Sequence, residues 1–154
     1  MIMDEKQQPS VIDRHIFVPH YLSVLSNAYT WSQSSHYLKT FNCGINEIRV
    51  LTVLAHSPGL SATELCDALA MNKSIVSRSL AELQAKGLIQ SQAAGRRQAF
   101  RLTTDGLALN AQIVPTALDR ERRLLSGFSE TDKIVLLGYL ARMLQNLENS
   151  RAAD

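Results

Sequence analysis

Residues 61–103, SATELCDALAMNKSIVSRSLAELQAKGLIQSQAAGRRQAFRLT, read as a helix, a turn, a second helix and a basic β-hairpin. Ser61-Ala-Thr-Glu64 is a capping box, the serine accepting from the third amide of the helix while the glutamate reaches back. In the short helix that follows, Leu65 and Leu69 face inward. Asn72 caps the second helix, whose Val76, Leu80 and Leu83 share one apolar face and which Gly87 stops. LIQSQ and AFRLT are two short strands, joined by a turn containing Ala94, Gly95, Arg96 and Arg97. That order is the signature of a winged helix-turn-helix, a module that puts its second helix into the DNA major groove.

The charge is arranged to match. Between residues 73 and 101 there are six basic side chains and one acidic one, a balance of +5 in a chain that totals +2. A polyanion would dock where that charge is concentrated. Helical geometry selects the reading face: with Val76, Leu80 and Leu83 inward, Ser74, Ser77, Arg78 and Ala81 lie outward, and Lys73 stands at the positive N-terminal end. Small hydroxyls let such a helix lie deep in the groove, and Arg78 can fork onto guanine. Arg96 and Arg97 at the hairpin tip suit a narrow minor groove, which attracts guanidinium groups.

Around this segment the chain reads as mostly helix, so the expected fold class is mainly α with one small β-hairpin. HYLSVLSNAYTWSQSSHYLKTFN follows Pro19 as a long first helix that ends near Gly44, with Leu22, Leu25, Tyr37, Leu38 and Phe41 among its apolar positions. INEIRVLTVLA places Ile48, Leu51, Val53 and Leu54 on a second helix, terminated by Pro58-Gly59. From Thr104 to Gly127 a further helix carries Leu107, Ile113, Val114, Leu118 and Leu125, with a kink expected at Pro115. Ser129-Glu-Thr-Asp132 resembles a second capping box, and Leu136, Leu140, Met143 and Leu147 recur beyond it, widened by Leu137 and Leu144. A helix apolar around so much of its circumference needs two partners, so a dimer interface built from both chain ends is expected. The expected organisation is an arm and dimerisation helix over 1–43, the winged helix-turn-helix over 44–103 and dimerisation helices over 104–154.

Composition excludes other classes. With 154 residues, 45% of them apolar and 19% charged, the chain is an ordinary globular domain. Apolar runs such as 134–138 last only a few residues, so no membrane span is expected. MIMDEKQQPS is not a secretory signal and reads as an arm, which points to the cytoplasm. No Gly-rich phosphate loop, GxSxG or HExxH occurs and the carboxylates are dispersed, so no enzyme and no cofactor is expected. The four histidines lack ligand spacing, and Cys66 stands alone between Glu64 and Ala68, so no metal site is expected. Two alternatives stay open: a winged helix used for protein contacts, and a thiol redox sensor, for which Cys43 at a helix junction is the better candidate.

GLIQSQAAGRRQAFRLTTDGLAL resembles the strand–wing–strand–helix signature of MarR-family transcriptional regulators. Gly87-Leu88-Ile89 matches its start, and Leu102-Thr103 with Gly106 matches its LT-x-x-G end. MNKSIVSRSLAELQAKGLI is similar to the family's recognition helix, with Val76, Ser77, Arg78 and Leu83 in register. Two features depart: an aspartate precedes the wing arginine by two residues in the family pattern, where Ala94 stands before Arg96, and glutamine at 90 or 92 replaces a charge often found on the outgoing strand. The resemblance implies a homodimer on a pseudo-palindromic operator in double-stranded DNA, acting as a repressor. It also implies a small, aromatic or anionic effector between the dimerisation and DNA-binding regions, near Trp31, His36, Tyr37 and Arg49.

Overall fold

A computed structural model describes residues 11–95 and 97–153. The segment expected to be an N-terminal arm and the wing residue Arg96 lie outside the described residues. The elements run α1 (Val18–Phe41), α2 (Ile45–His56), α3 (Ala62–Leu69), α4 (Lys73–Ala85), β1 (Ile89–Ala94), β2 (Arg97–Leu102), α5 (Thr104–Leu124) and α6 (Glu130–Ala153). The chain is mainly helical with one antiparallel hairpin, as its periodicities require. It divides into two compact units, 1–110 and 111–154.

In the first unit, α2 is the central element and packs against α1, α3, α4 and β2. Ile48, Val50, Leu51 and Leu54 of α2 are buried with Leu65, Val76, Leu80, Leu83, Ile89, Phe100 and Leu102. Val50 enters this core and Val53 is only half-buried. Neighbours on several sides bury more of α2 than the single stripe that periodicity selects. Leu69, at the end of its short helix, is likewise half-buried.

Helix ends follow local chemistry. Asn42 stops α1 in the left-handed region at φ 52°, its N–H donating to the Leu38 carbonyl, so the break precedes Gly44 by two residues. The Ser61 hydroxyl accepts from the Glu64 amide at 3.3 Å, and Glu64 Oε2 accepts from the Ser61 amide at 2.8 Å. Asn72 Oδ1 accepts from the Ile75 amide at 2.9 Å. Ser129 and Asp132 repeat the box at the start of α6, the shorter acid reaching the Ser129 amide at 2.9 Å.

The hairpin is longer than its composition suggests. Ile89 pairs with Leu102 and the ladder continues to Ala94 opposite Arg97, with Gly95 in the turn that follows Ala94. Gly95 takes φ +63°, a conformation that tight hairpin turns demand. Arg97 therefore belongs to a strand and not to the tip. A one-residue bridge from Leu60 to Phe100 extends the sheet and ties the α2–α3 connection to the base of the wing.

The LT-x-x-G segment joins wing to helix. Leu102 is buried, the Thr103 amide donates to the Leu88 carbonyl at 3.0 Å, and the Thr103 hydroxyl accepts from the Gly106 amide at 3.1 Å. That hydroxyl also donates to the Gly87 carbonyl at 2.7 Å. One threonine thus caps α5 and anchors the end of β2 to the start of β1. The α5 helix holds Pro115 in its interior and ends at Leu124, three residues before Gly127.

In the second unit, Leu136 and Met143 are half-buried, whereas Leu137, Leu140, Leu144 and Leu147 are exposed. The apolar circumference of α6 is thus split into an inner and an outer stripe. No helix among the described residues is long and apolar enough to cross a membrane.

Candidate nucleic-acid interface

Helix α4 buries Val76, Ser79, Leu80 and Leu83 and turns Lys73, Ser74, Ser77 and Arg78 to solvent. Its first turn carries no acidic residue, so Lys73 and the free amide dipoles leave that end positive. Ile75 is also exposed on this helix, a residue that outward-face counting passes over because it lies at the edge of the polar stripe. Arg78 borders an open cavity of about 290 Å3, together with Ser34 of α1, Gly44–Glu47 at the start of α2, and Ser79 and Glu82 of α4. It sits where α4 meets the first turn of α2.

Lys86, just past the end of α4, fixes that helix to the α1–α2 elbow. Its ammonium donates to the Asn42 carbonyl at 2.7 Å and pairs with Glu47 at 2.5 Å. Partial burial opposes its charge, but the hydrogen bond and charge of Glu47, with Cys43 and Glu82, hold the lysine above its usual range. Cys43 lies in the same elbow, fully buried. Burial pushes its thiol from 9.0 up to about 11; Lys86 works against this, and the hydrogen bond and charge of Glu47 add to it.

This overturns Cys43 as a redox-sensing thiol, since reactivity requires an accessible thiolate. A thiol raised in the folded state favours folding while it stays protonated, so this contribution is lost as pH rises from about 9 to about 11. The melting temperature of the native chain is therefore expected to fall more steeply over that interval than that of Cys43→Ala. A thiol reagent should label Cys66, which is half-buried on α3, well before Cys43.

On the wing, Arg97 Nη1 reaches Glu64 Oε1 at 3.2 Å, while Glu64 Oε2 serves the Ser61 cap. Amide and hydroxyl donation from Ser61, then Arg97, hold the Glu64 carboxyl below its usual range. The acid that braces the wing comes from α3, not from within the hairpin. Arg101 is bonded across the hairpin to Gln92.

The four residues placed near an effector cleft differ in their settings. Trp31 is 86% exposed, whereas Tyr37 is buried. His36 lies edge-on to both Tyr37 and Phe41, with ring centroids 6.0 and 6.3 Å away. Arg49 is committed elsewhere, its Nη2 donating to the Leu69 carbonyl at 3.2 Å at the end of α3. Among the described residues, no three His, Cys, Asp or Glu side chains are grouped to hold a metal ion.

Comparison with known proteins agrees with this geometry. The model of the MarR family matches residues 44–98. The chain is 32% identical over 95 residues to the HTH-type transcriptional regulator PecS of Dickeya dadantii (strain 3937), a match covering 60% of this chain and 57% of that one. A MarR/EmrR family transcriptional regulator from Acinetobacter sp. ADP1 superposes with a TM-score of 0.84 at 26% identity, over 90% of this chain and 99% of that one. A MarR family regulator from Listeria monocytogenes, solved with a 26mer DNA, shares the fold at a TM-score of 0.81 and 19% identity, over 87% and 91% of the two chains. The aligned part is thus little more than half of PecS but nearly all of the Acinetobacter protein. A winged helix with this anchored LT-x-x-G junction is similar, in sequence over residues 44–98 and in three dimensions over 90% of the chain, to transcriptional regulators of the MarR family.

Proposed function

We propose that this protein is a homodimer that binds a pseudo-palindromic operator in double-stranded DNA and represses transcription from it. The observation that carries this reading is the exposed face of α4, with Lys73, Ser74, Ser77 and Arg78 opposite a fully buried apolar face and beside a basic wing. Within that face, Arg78 reads a base edge and Lys73 holds a phosphate. Arg96 and Arg97 deliver the wing to the flanking minor groove. The Listeria relative solved with DNA supports this mode of use.

Support for dimerisation comes from what a single copy leaves uncovered. Val18, Tyr21, Leu22 and Leu25 of α1 are exposed, and so are the outer leucines of α6. Solvent-facing apolar stripes of that length are covered in a stable soluble protein, and a second copy of the chain supplies matching stripes. A small aromatic or anionic effector would release the operator, with Trp31, His36, Tyr37 and Arg49 as its candidate contacts. Trp31 is the sole tryptophan, so any change in tryptophan fluorescence on dimerisation or effector addition is assigned to that position.

The deciding experiment is a salt-dependent gel shift with fragments recovered from genomic DNA. Arg78→Ala is expected to weaken operator binding by about 1–3 kcal/mol and to relax preference at one position of each half-site. Lys73→Ala should weaken all sequences alike and lower the salt slope by about 1 for each phosphate it no longer neutralises. Equal, sequence-independent losses in both variants would show that Arg78 is a second phosphate ligand. Absence of any salt-dependent shift would remove the DNA reading itself.

A further inference from the structure

We propose that Ile75 is a specificity-determining residue that selects thymine by contacting its 5-methyl group in the major groove. This rests on α4 being the helix that enters DNA. Among the described residues from 39 to 106, Ile75 is the one large apolar side chain left exposed, at 37%. The rest of the winged-helix segment hides its large apolar groups inside the core or at its edges. The exception falls at the edge of the outward face of that helix, three residues before Arg78 and on the same side as it.

Ile75 is also held still. Its amide donates to the Asn72 cap, which fixes the backbone of the first turn. A β-branched side chain in a helix has essentially one χ1 rotamer, so its methyl groups are presented in a fixed direction. A solvated position gains nothing from such a residue, since a long polar side chain would keep the helix without exposing apolar surface. Opposite this face, base edges in the major groove are polar except at one group, the thymine methyl.

The position relative to Arg78 makes the inference more specific. Residues three apart share a face and are separated by about 4.5 Å along the helix axis. Base pairs are stacked about 3.4 Å apart. The thymine read by Ile75 therefore lies one or two base steps from the guanine read by Arg78. The two residues specify a short T-and-G element in each half-site, with Ile75 distinguishing thymine from cytosine, which carries only hydrogen at that carbon.

Two pools of random-core duplexes test this, one synthesised with thymine and one with uracil in its place, each taken through rounds of selection. The wild-type protein should enrich thymine at one position per half-site from the first pool and lose that preference in the second, where the methyl is absent. On the selected duplex, replacing that thymine with uracil in both half-sites should weaken wild-type binding about fourfold per half-site, the equivalent of one buried methyl group. Ile75→Ala should bind the thymine and uracil duplexes equally, with the salt slope of the wild type, and Ile75→Val should retain the preference. The inference is overturned if Ile75→Ala still enriches thymine there, or if the wild type binds both duplexes alike while keeping its salt-dependent affinity. Failure of the wild type to enrich any sequence or to shift any duplex with salt dependence would overturn the DNA reading and this inference together.

Discussion

Gly106→Ala is expected to destabilise the protein by about 3 kcal/mol, the upper end of what overpacking a tight site costs. In a chain of this size that is a fall in melting temperature of about 6–12 °C. A Cβ at this position would stand 2.0 Å from the Leu88 carbonyl oxygen, 3.0 Å from its carbon and 3.3 Å from the Leu102 Cβ. The blocking group is backbone and cannot rotate away. It is also in use, because the Leu88 carbonyl accepts from the Thr103 amide. Relief would require the first turn of α5 to lift off the hairpin, breaking that bond and drawing Leu102 out of the core. Gly138→Ala is the matched control: its Cβ would meet nothing within 4 Å, in the interior of α6. That substitution should stabilise by up to about 1 kcal/mol through helix propensity alone. If both variants melted within a degree or two of the wild type, the close approach at Leu88 would not be a constraint on this fold.

The same residue shows how sequence and structure divide the work. The LT-x-x-G pattern can be matched in the sequence, but its cause is a contact between positions 18 residues apart, which no local rule supplies. Features settled within one turn of helix are legible: the Ser61–Glu64 and Ser129–Asp132 caps, the Asn72 cap, and the inward set Val76, Leu80 and Leu83. The outward residues of α4 follow from the same periodicity. Ile75 escapes it because a residue at the boundary of two faces has no preference by spacing alone.

Long-range pairings are not legible. Ala94 leaves the wing without its expected acidic neighbour, and the sequence offers no replacement. Glu64, 33 residues from Arg97, pairs with that neighbouring arginine instead, with one carboxylate oxygen on the helix cap and the other on the guanidinium. Lys86 and Glu47 are 39 residues apart and join the end of α4 to the elbow before α2. Both pairs arise because α2 and α3 are folded against α4 and the wing. Cys43 misleads for the same reason, since its burial depends on what closes over the elbow.

Substituting Leu137 and Leu144 together by Asp is expected to give a folded monomer whose operator affinity is lower by about 100- to 10,000-fold. That range is the gain from engaging two linked half-sites rather than one. The two leucines are 53% and 54% exposed in the single protomer and sit seven residues apart on the outer stripe of α6, beside Leu140 and Leu147. Because solvent already reaches them, aspartates there should leave the protomer's own core intact and preserve its helical circular dichroism. Across a dimer interface the same two charges would be desolvated without partners, a penalty of several kcal/mol for each ion. Leu136→Asp with Met143→Asp addresses the inner, half-buried stripe and should instead damage folding of the unit itself. Analytical ultracentrifugation gives the oligomeric state, and the melting temperature of the wild type should rise with protein concentration because association stabilises only the folded chain. A Leu137→Asp, Leu144→Asp protein that sediments as a dimer and binds operator as tightly as the wild type would show that the outer stripe of α6 is not the face that joins two copies.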